Sequence, residues 1–520
     1  MTTIKQNFWL FLRSRHSVHI STITNLQLIV IFISILIFSF YTSESISYLS
    51  LNYCVSKKNL HKCQPFAYRF GKCLQKMGPL LHVLISFLFL PLSKNSFIHC
   101  ILGSSFERSI RVHRFIGRYL LILLGSVHAL GFIVKWLLEG RLYEKVTKTA
   151  NFWGFIAFLT SILILITSRD SIRRSYYQLF RVTHLIAAPI YLLGVSWHHH
   201  GIELWYYLSI PFLFYVMDIL YRIFHTYQTS SKATVVSARK IDTNICSLTL
   251  STGGVPLSNV QPGNWIYLTL PAISKSDLPK PFTILKSMTH LSFIEILIKC
   301  NPSTNKPGKS KSKRYMKNWT GKLLNMSTLN GEDTLLLGAT AIIDGPYGSL
   351  SLPLPLSMYK TVLLIAGGIG VTPMLSLLED HKEKSQQSYA TNSSLSSGNW
   401  NLIWSCREIK LVEECQERLN DCHARCNIYV TGNNEGMEQQ RFSTSPIVVK
   451  EDSNIENIVY GHRPDVVHLI QDKVASNGDG YTAVVVCGPV SMIEEVRGVV
   501  HRLQTEKGGN VHLHAETFEI

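Results

Sequence analysis

The chain has 520 residues, and 46% of them are hydrophobic, which excludes a disordered chain. That length holds about three domains of ordinary size. Its formal charge of +17 would suit a nucleic-acid partner, but many basic residues lie in loops between apolar runs or in one Lys-rich insert. Membrane topology accounts for that placement, so no nucleic acid is expected.

The N-terminal segment lacks a clean cleavage site before the apolar run Leu26–Tyr41, which reads as a retained first membrane helix. Apolar segments near 24–41, 78–92, 114–137, 152–167, 179–198 and 203–221 predict six spans among membrane lipid. With Lys5, Arg13 and Arg15 inside, the loops carrying Lys94, Arg108 and Arg111 and then Arg169, Arg173, Arg174 and Arg181 also fall inside. A basic loop with Lys57, Lys58, Lys62, Arg69, Lys72 and Lys76 falls outside. The expectation is an integral, multi-pass protein of the plasma membrane or endoplasmic reticulum, with its N-terminus and C-terminal half cytosolic.

Two of these spans carry histidines at nearly matching intervals: His113 and His128 are fifteen positions apart, and His184 and His198 are fourteen apart. At about 1.5 Å per residue these intervals separate two levels by roughly 21–22 Å, inside a hydrocarbon core of about 30 Å. Each level receives one imidazole from each helix. Two stacked bis-histidine haems need that arrangement, because a low-spin haem iron takes axial ligands from opposite sides. A single intramembrane histidine is more often an interior hydrogen-bonded group, whereas four with interlocking spacing favour ligands. A fifteen-residue step leaves a straight helix about 60° out of phase, which a π-bulge absorbs.

The segment HRFIGR, the histidine that follows it and the later pair fourteen apart resemble the transmembrane core of the ferric reductase and NADPH oxidase superfamily, in its yeast ferric-chelate metalloreductase family and a short, oxidase-like branch. The family's first interval is usually fourteen, so the fifteen here is a departure. The resemblance implies a multi-domain fold: an α-helical transmembrane bundle at 1–228, an antiparallel β-barrel FAD domain at 229–351 and an α/β parallel-sheet NADPH domain at 352–520.

From Ala233 onward the segments ATVVSA, ICSLTL, WIYLTL, FTILKS, FIEILIKC and TLLLGA read as short antiparallel strands. The family's Pro-Phe/Tyr-Ser/Thr strand lies against the flavin ring, and Pro281, Phe282 and Thr283 match it, with Lys280 where the family usually has histidine. Lys299 and Thr320, on either side of a basic low-complexity insert, match its second flavin segment. Farther on, KTVLLIAGGIGVTP runs from a buried strand into Gly367, Gly368 and Gly370, then a helix with Thr372 as cap and Pro373 in its first turn. Glycines let a backbone approach a phosphate, and free amides at the helix start attract it. Strands NLIWSC, CNIYVTG, YTAVVVCGP and VHLHAETF, alternating with helical stretches, predict a parallel sheet.

By resemblance, Arg407 and Arg463 hold the nucleotide, and Arg407 favours the 2′-phosphate of NADPH, for which an arginine fork is suited. Likewise Cys487, Gly488 and Pro489 form the turn facing the nicotinamide, and Phe518 is the aromatic that covers the flavin. Cys422 and Cys426 flank His423, but no second ligand pair accompanies them, and reduced structural thiols are expected. The implied enzyme passes electrons from cytosolic NADPH through FAD and two b-type haems to an acceptor across the membrane. Ferric or cupric ion is the first reading, dioxygen the second, and a non-catalytic haem-bearing scaffold the third. Arg114, Arg118 and Arg181 are candidates for haem propionates, or equally for positive-inside anchoring.

Overall fold

The computed structural model describes residues 15–18, 21–49, 54–57, 60–63, 66–94, 106–198, 201–230, 233–252, 260–274, 279–288, 293–300, 319–329, 335–348, 350, 352, 355–390, 398–432, 455–506 and 510–516. It forms two compact units, one of Asn25–Leu220 and one of Tyr221–Ile520 with the residues up to Thr24.

The first unit is helical. Helices α1 (Asn25–Ser47) and α2 (Phe66–Phe89) precede a bent rod made of α3 (Phe106–Phe115), a π segment (Ile116–Leu121) and α4 (Ile122–Leu138). The short α5 (Leu142–Val146), α6 (Thr149–Thr167), the short α7 (Asp170–Ser175), α8 (Tyr177–Trp197) and α9 (Gly201–Ser230) follow. Six long helices among the described residues therefore stand where the six apolar segments lie. Among the described residues, four stretches are long and apolar enough to cross a membrane: Ser109–Leu138, Thr149–Thr167, Tyr177–Trp197 and Ile202–Gln228. Their outward faces expose Leu138, Leu185, Ile202 and Tyr206, a surface suited to lipid rather than water. The core where these helices meet is Leu80, Leu84, Ile85, Leu121, Leu204 and Leu208.

Helix α2 starts twelve residues before its apolar stretch. Arg69, Lys72 and Lys76, expected in an outer loop, are helical instead. The helix tolerates them because the Arg69 guanidinium donates to the Leu49 carbonyl (3.3 Å) and Lys76 pairs with Glu44 (2.6 Å). Two small hairpins, β1–β2 (Arg15–Val18, Ser21–Thr24) and β3–β4 (Cys54–Lys57, Leu60–Cys63), have no counterpart in the expected elements.

The second unit opens with two antiparallel sheets. One has the order β5 (Thr234–Asp242), β6 (Ile245–Ser251), β10 (Phe293–Lys299), β9 (Lys286–Met288); the other has β11 (Ile342–Tyr347), β7 (Trp265–Thr269), β8 (Lys280–Thr283). Both close on one core containing Leu248, Leu250, Ile266, Leu268, Ile296 and Ile343, with α10 (Trp319–Met326) packed on it. Of the expected strand TLLLGA, residues 335–338 form a turn. Gly338 takes φ +72 there, and Leu335 and Leu337 are exposed, so the pairing passes to β11 instead.

A six-stranded sheet follows, in the order β15 (Ile455–Tyr460), β14 (Arg425–Val430), β13 (Asn399–Cys406), β12 (Thr361–Gly367), β16 (Thr482–Cys487), β17 (Val511–Glu516), parallel throughout. Its strands read as continuous apolar runs because both faces are covered. Helices α11 (Val371–Ala390) and α12 (Ile409–Asn420) close one face, and α13 (Val466–Ser476) and α14 (Val490–Glu506) the other. Strand β15 was not among the expected elements. The order of strands reverses at β12/β16, and in such sheets ligands bind outside the C-terminal strand ends at that crevice.

Candidate functional site

Within the helical unit the four histidines meet in two pairs. His113 on α3 faces His184 on α8 with ring centres 6.4 Å apart, and His128 on α4 faces His198 at the end of α8 with centres 6.2 Å apart. Two metal–imidazole bonds of about 2.0–2.1 Å, each with about 1.1 Å from nitrogen to ring centre, separate opposed imidazoles by roughly 6.2–6.4 Å. The gaps fit one metal ion each.

The far side of each ring is also arranged. His113 Nδ1 donates to the Leu88 carbonyl (3.0 Å), His128 Nδ1 to Leu74 (2.8 Å) and His198 Nδ1 to Ala150 (2.8 Å). With the proton held on Nδ1, the Nε2 lone pair is left for a metal, the usual arrangement behind a ligating imidazole. Leu88 is among the last residues of α2, whose carbonyls lack helical partners. Gly154 admits His198, since a Cβ there would stand 2.5 Å from Nδ1. These backbone partners were absent from the sequence reading, because a carbonyl donates no motif. His184 Nδ1 is buried without a hydrogen-bond partner among the described residues, and Phe180 packs on its ring at 5.5 Å.

The fifteen-residue interval is resolved by the π segment, where the Ile122 amide bonds back five residues to the Gly117 carbonyl. One π turn takes up one residue more than an α turn, so the longer interval delivers His128 to the face that a fourteen-residue step would reach. Deletion of Tyr119, half-exposed on that segment, is expected to restore a plain α-helix and leave both pairs in register. Haem retained at the wild-type level would support this, whereas deletion of Leu193 from α8 should lose part of it; haem loss from the first deletion would refute the account. Arg118 has other partners than the expected propionates: it donates to the Ser168 carbonyl (2.8 Å) and reaches Asp170 (3.5 Å). His199 and His200 lie outside the described residues.

In the antiparallel sheets, Pro281, Phe282 and Thr283 lie in β8, where the resemblance implied a strand. Phe282 stacks on Trp319 at 5.7 Å. Thr283 is buried, and its hydroxyl has no partner among the described residues, so a ligand atom is its natural complement. Thr320 lies in the first turn of α10, its carbonyl accepting from the Cys300 thiol (3.0 Å). Lys299 reaches Glu408 at 3.0 Å, a partner that sequence spacing did not reveal. The basic insert lies outside the described residues.

At the crevice, Ala366 pairs with Cys487 across β12 and β16. The glycines make the two turns fit: a Cβ on Gly367 would stand 2.5 Å from Pro489 Cδ, and one on Gly370 would stand 2.5 Å from the Cys487 carbonyl oxygen. Gly488 lies against Gly367 in the same way. Gly368 has φ +56 and open space where its Cβ would be. Its carbonyl is turned inward to accept from Trp404 Nε1 (3.0 Å), a buried indole whose partner the sequence reading did not supply. The turn runs directly into α11, so the helix begins at Val371. Thr372 is then not its cap: its hydroxyl donates to the Ile369 carbonyl (2.8 Å), while Pro373 does fall in the first turn.

Burial, with the Glu516 carboxylate next, pushes the Cys487 thiol well above its ordinary range, so it stands there as a neutral group and not as a thiolate nucleophile. Arg407 and Arg463 are both exposed at C-terminal strand ends, after β13 and β15 on either side of β14. Cys422 and Cys426 are buried with sulfurs 3.5 Å apart, and among the described residues no group of three metal-ligating side chains forms. Phe518 lies outside the described residues.

Fold and geometry define a class: a membrane-type helical bundle with two metal-spaced histidine pairs, followed by a nucleotide-type α/β domain. Residues 77–195 match the ferric reductase like transmembrane component, and residues 359–501 match the ferric reductase NAD binding domain. The chain therefore carries both a ferric-reductase-type transmembrane component and a ferric-reductase-type NAD binding domain. It is 28% identical over 310 residues to ferric reduction oxidase 7, chloroplastic, of Arabidopsis thaliana, covering 56% of this chain and 38% of that protein. Ferric reduction oxidase 4 of the same plant is 27% identical over 374 residues, 71% of this chain and 48% of the relative. The probable metalloreductase AIM14 of Clavispora lusitaniae is 24% identical over 432 residues, 76% and 74% of the two chains. The chain thus spans less than half the length of these Arabidopsis relatives.

Proposed function

We propose that the chain is a transmembrane oxidoreductase that takes electrons from cytosolic NADPH and delivers them across the membrane to ferric or cupric ion, by way of FAD and two haems. The observation that carries the reading is the pair of histidine gaps at 6.4 and 6.2 Å, each wide enough for one metal ion that two imidazoles would hold. When bound, the flavin divides the two electrons of a hydride into single steps and each haem iron carries one electron.

The protein's part is placement. His113 and His184 hold one iron and His128 and His198 the other. Thr283 meets the flavin edge, with Pro281 and Phe282 beside it, and Thr320 stands at its phosphates. Gly367, Gly368 and Gly370 bring the backbone to the nucleotide pyrophosphate at the start of α11. Arg407 and Arg463 take the ribose phosphate, while neutral Cys487, Gly488 and Pro489 bound the nicotinamide side, where Phe518 covers the flavin. The proposed domains are 1–228, 229–351 and 352–520, with the N-terminus and the last two domains cytosolic. The relatives' names, ferric reduction oxidase and metalloreductase, support a metal ion as acceptor.

The test is an optical spectrum with haem and flavin quantification, before and after anaerobic NADPH, followed by reduction of chelated ferric iron. Two haems per flavin, reduced by NADPH, with iron reduction that persists without oxygen, is the expected outcome. Iron reduction lost alike under anaerobiosis and under superoxide dismutase would make dioxygen the acceptor. Haem without flavin or NADPH oxidation would leave a scaffold.

A further inference from the structure

Helix α12 begins two residues after Arg407. One of its faces buries Leu411, Val412, Cys415 and Leu419 in the core of the parallel sheet. Its charged groups meet the antiparallel sheet β5–β6–β10 and the neighbouring helix α11 instead. Arg418 pairs with Glu295 (2.5 Å) and with Glu379 (2.9 Å), and Arg239 pairs with Glu414. At the head of the helix, Glu408 Oε1 accepts from Lys299 Nζ (3.0 Å) and Asn244 Nδ2 (3.3 Å).

Glu408 occupies the cap position of α12, yet its carboxylate accepts none of that helix's amides. A short Asp in that place would cap its own helix, whereas the longer Glu408 side chain reaches the neighbouring sheet. Burial opposes its charge, but the Lys299 ammonium and Asn244 outweigh burial and hold the carboxyl below its usual range.

The residues around Arg407 are pinned as well. The Cys406 thiol, pushed up to about 12 by burial, stays protonated and donates to the Glu408 carbonyl (3.3 Å). The Cys406 carbonyl accepts from the Thr431 amide (2.7 Å), and Gly432 leaves no Cβ where one would stand 2.6 Å from the Arg407 carbonyl oxygen. Arg407 itself is exposed.

We infer that Glu408 is a positioning residue for the nucleotide: by tying the Arg407 turn to Lys299 and Asn244 of the antiparallel sheet, it sets the preference for a nucleotide bearing a 2′-phosphate. This rests on the reading of Arg407 as the phosphate contact. A guanidinium binds phosphate through a fork of fixed geometry, so a small displacement of its backbone weakens that contact while leaving contacts common to both nucleotides in place.

The test compares KM for NADPH and NADH, with ferric chelate reduction as readout, in the full-length protein in detergent. Glu408→Ala is expected to raise KM for NADPH about tenfold, with KM for NADH, kcat at saturating NADPH and FAD content unchanged. Glu408→Gln keeps an oxygen that accepts from Lys299 and Asn244, and it should restore most of the wild-type KM. Asn244→Ala removes one partner, should give the same split in smaller measure, and serves if Glu408→Ala does not fold. Parallel rises in both KM values, or no rise in either, would overturn the inference. A wild-type protein with no preference for NADPH, or an Arg407→Ala variant that keeps the preference, would instead remove the phosphate reading beneath it.

Discussion

Replacing His184 with alanine is expected to abolish binding of one haem while leaving NADPH-dependent flavin reduction intact. The methyl group of an alanine cannot reach a metal, and His113 alone cannot supply both axial ligands. The His128–His198 pair lies fourteen residues away along α8 and keeps its own carbonyl anchors, so haem content should fall to about half and not to zero. Acceptor reduction should cease if, as proposed, electrons reach the acceptor by way of both haems. Pyridine haemochrome quantification beside stopped-flow flavin reduction separates these outcomes. Full haem content in the variant would sink the ligand assignment. His184 is the sharpest choice among the four, because its Nδ1 bonds no carbonyl among the described residues, so removing the ring leaves no backbone acceptor unpaired.

The second large effect is expected at Gly370. A Cβ there stands 2.5 Å from the Cys487 carbonyl oxygen and 2.9 Å from its carbon, both backbone atoms at the end of β16. Neither can yield without moving the strand, so Gly370→Ala forces apart the two turns that flank the crevice. Overpacking of this kind costs about 1–3 kcal/mol. A displacement near 1 Å at a binding turn reduces activity roughly a hundredfold. The expected result is a rise in KM for NADPH of that order, with haem spectra unchanged and the flavin still reducible by dithionite. Gly478→Ala, in the turn after α13 and away from the crevice, is the control: nothing lies within 4 Å of its Cβ, and its positive φ should cost only about 1–2 kcal/mol. Equal effects from both substitutions would show that a general loss of stability, not the close contact with Cys487, accounts for the rise.

Much of this was legible in one dimension. Helical phase is a property of spacing, so two intervals of fourteen and fifteen sufficed to pair four histidines and to point to a π-bulge, and the π segment lies between His113 and His128. The run Thr361–Gly370 followed by Pro373 spelled out a buried strand, a tight turn and a helix start, because glycine and proline constrain backbone wherever they stand. Other features were not legible. TLLLGA has the composition of a strand, but its residues 335–338 form a turn, since pairing depends on what lies beside it. Arg69, Lys72 and Lys76 looked like a loop until partners such as Leu49 and Glu44 made them tolerable in a helix.

By itself, the sequence determined which residues lie at one level of a helix, where glycine permits close approach, and which segments are apolar enough for lipid. Those properties depend on neighbours a few positions away. Only the tertiary structure decided that Leu88, Leu74 and Ala150 carbonyls hold three imidazoles by Nδ1, that Trp404 orients Gly368, and that Glu408 turns from its own helix to Lys299. Each of these contacts joins residues dozens of positions apart, and hydrogen bonding of that range follows from the packing of whole elements, which local spacing does not encode.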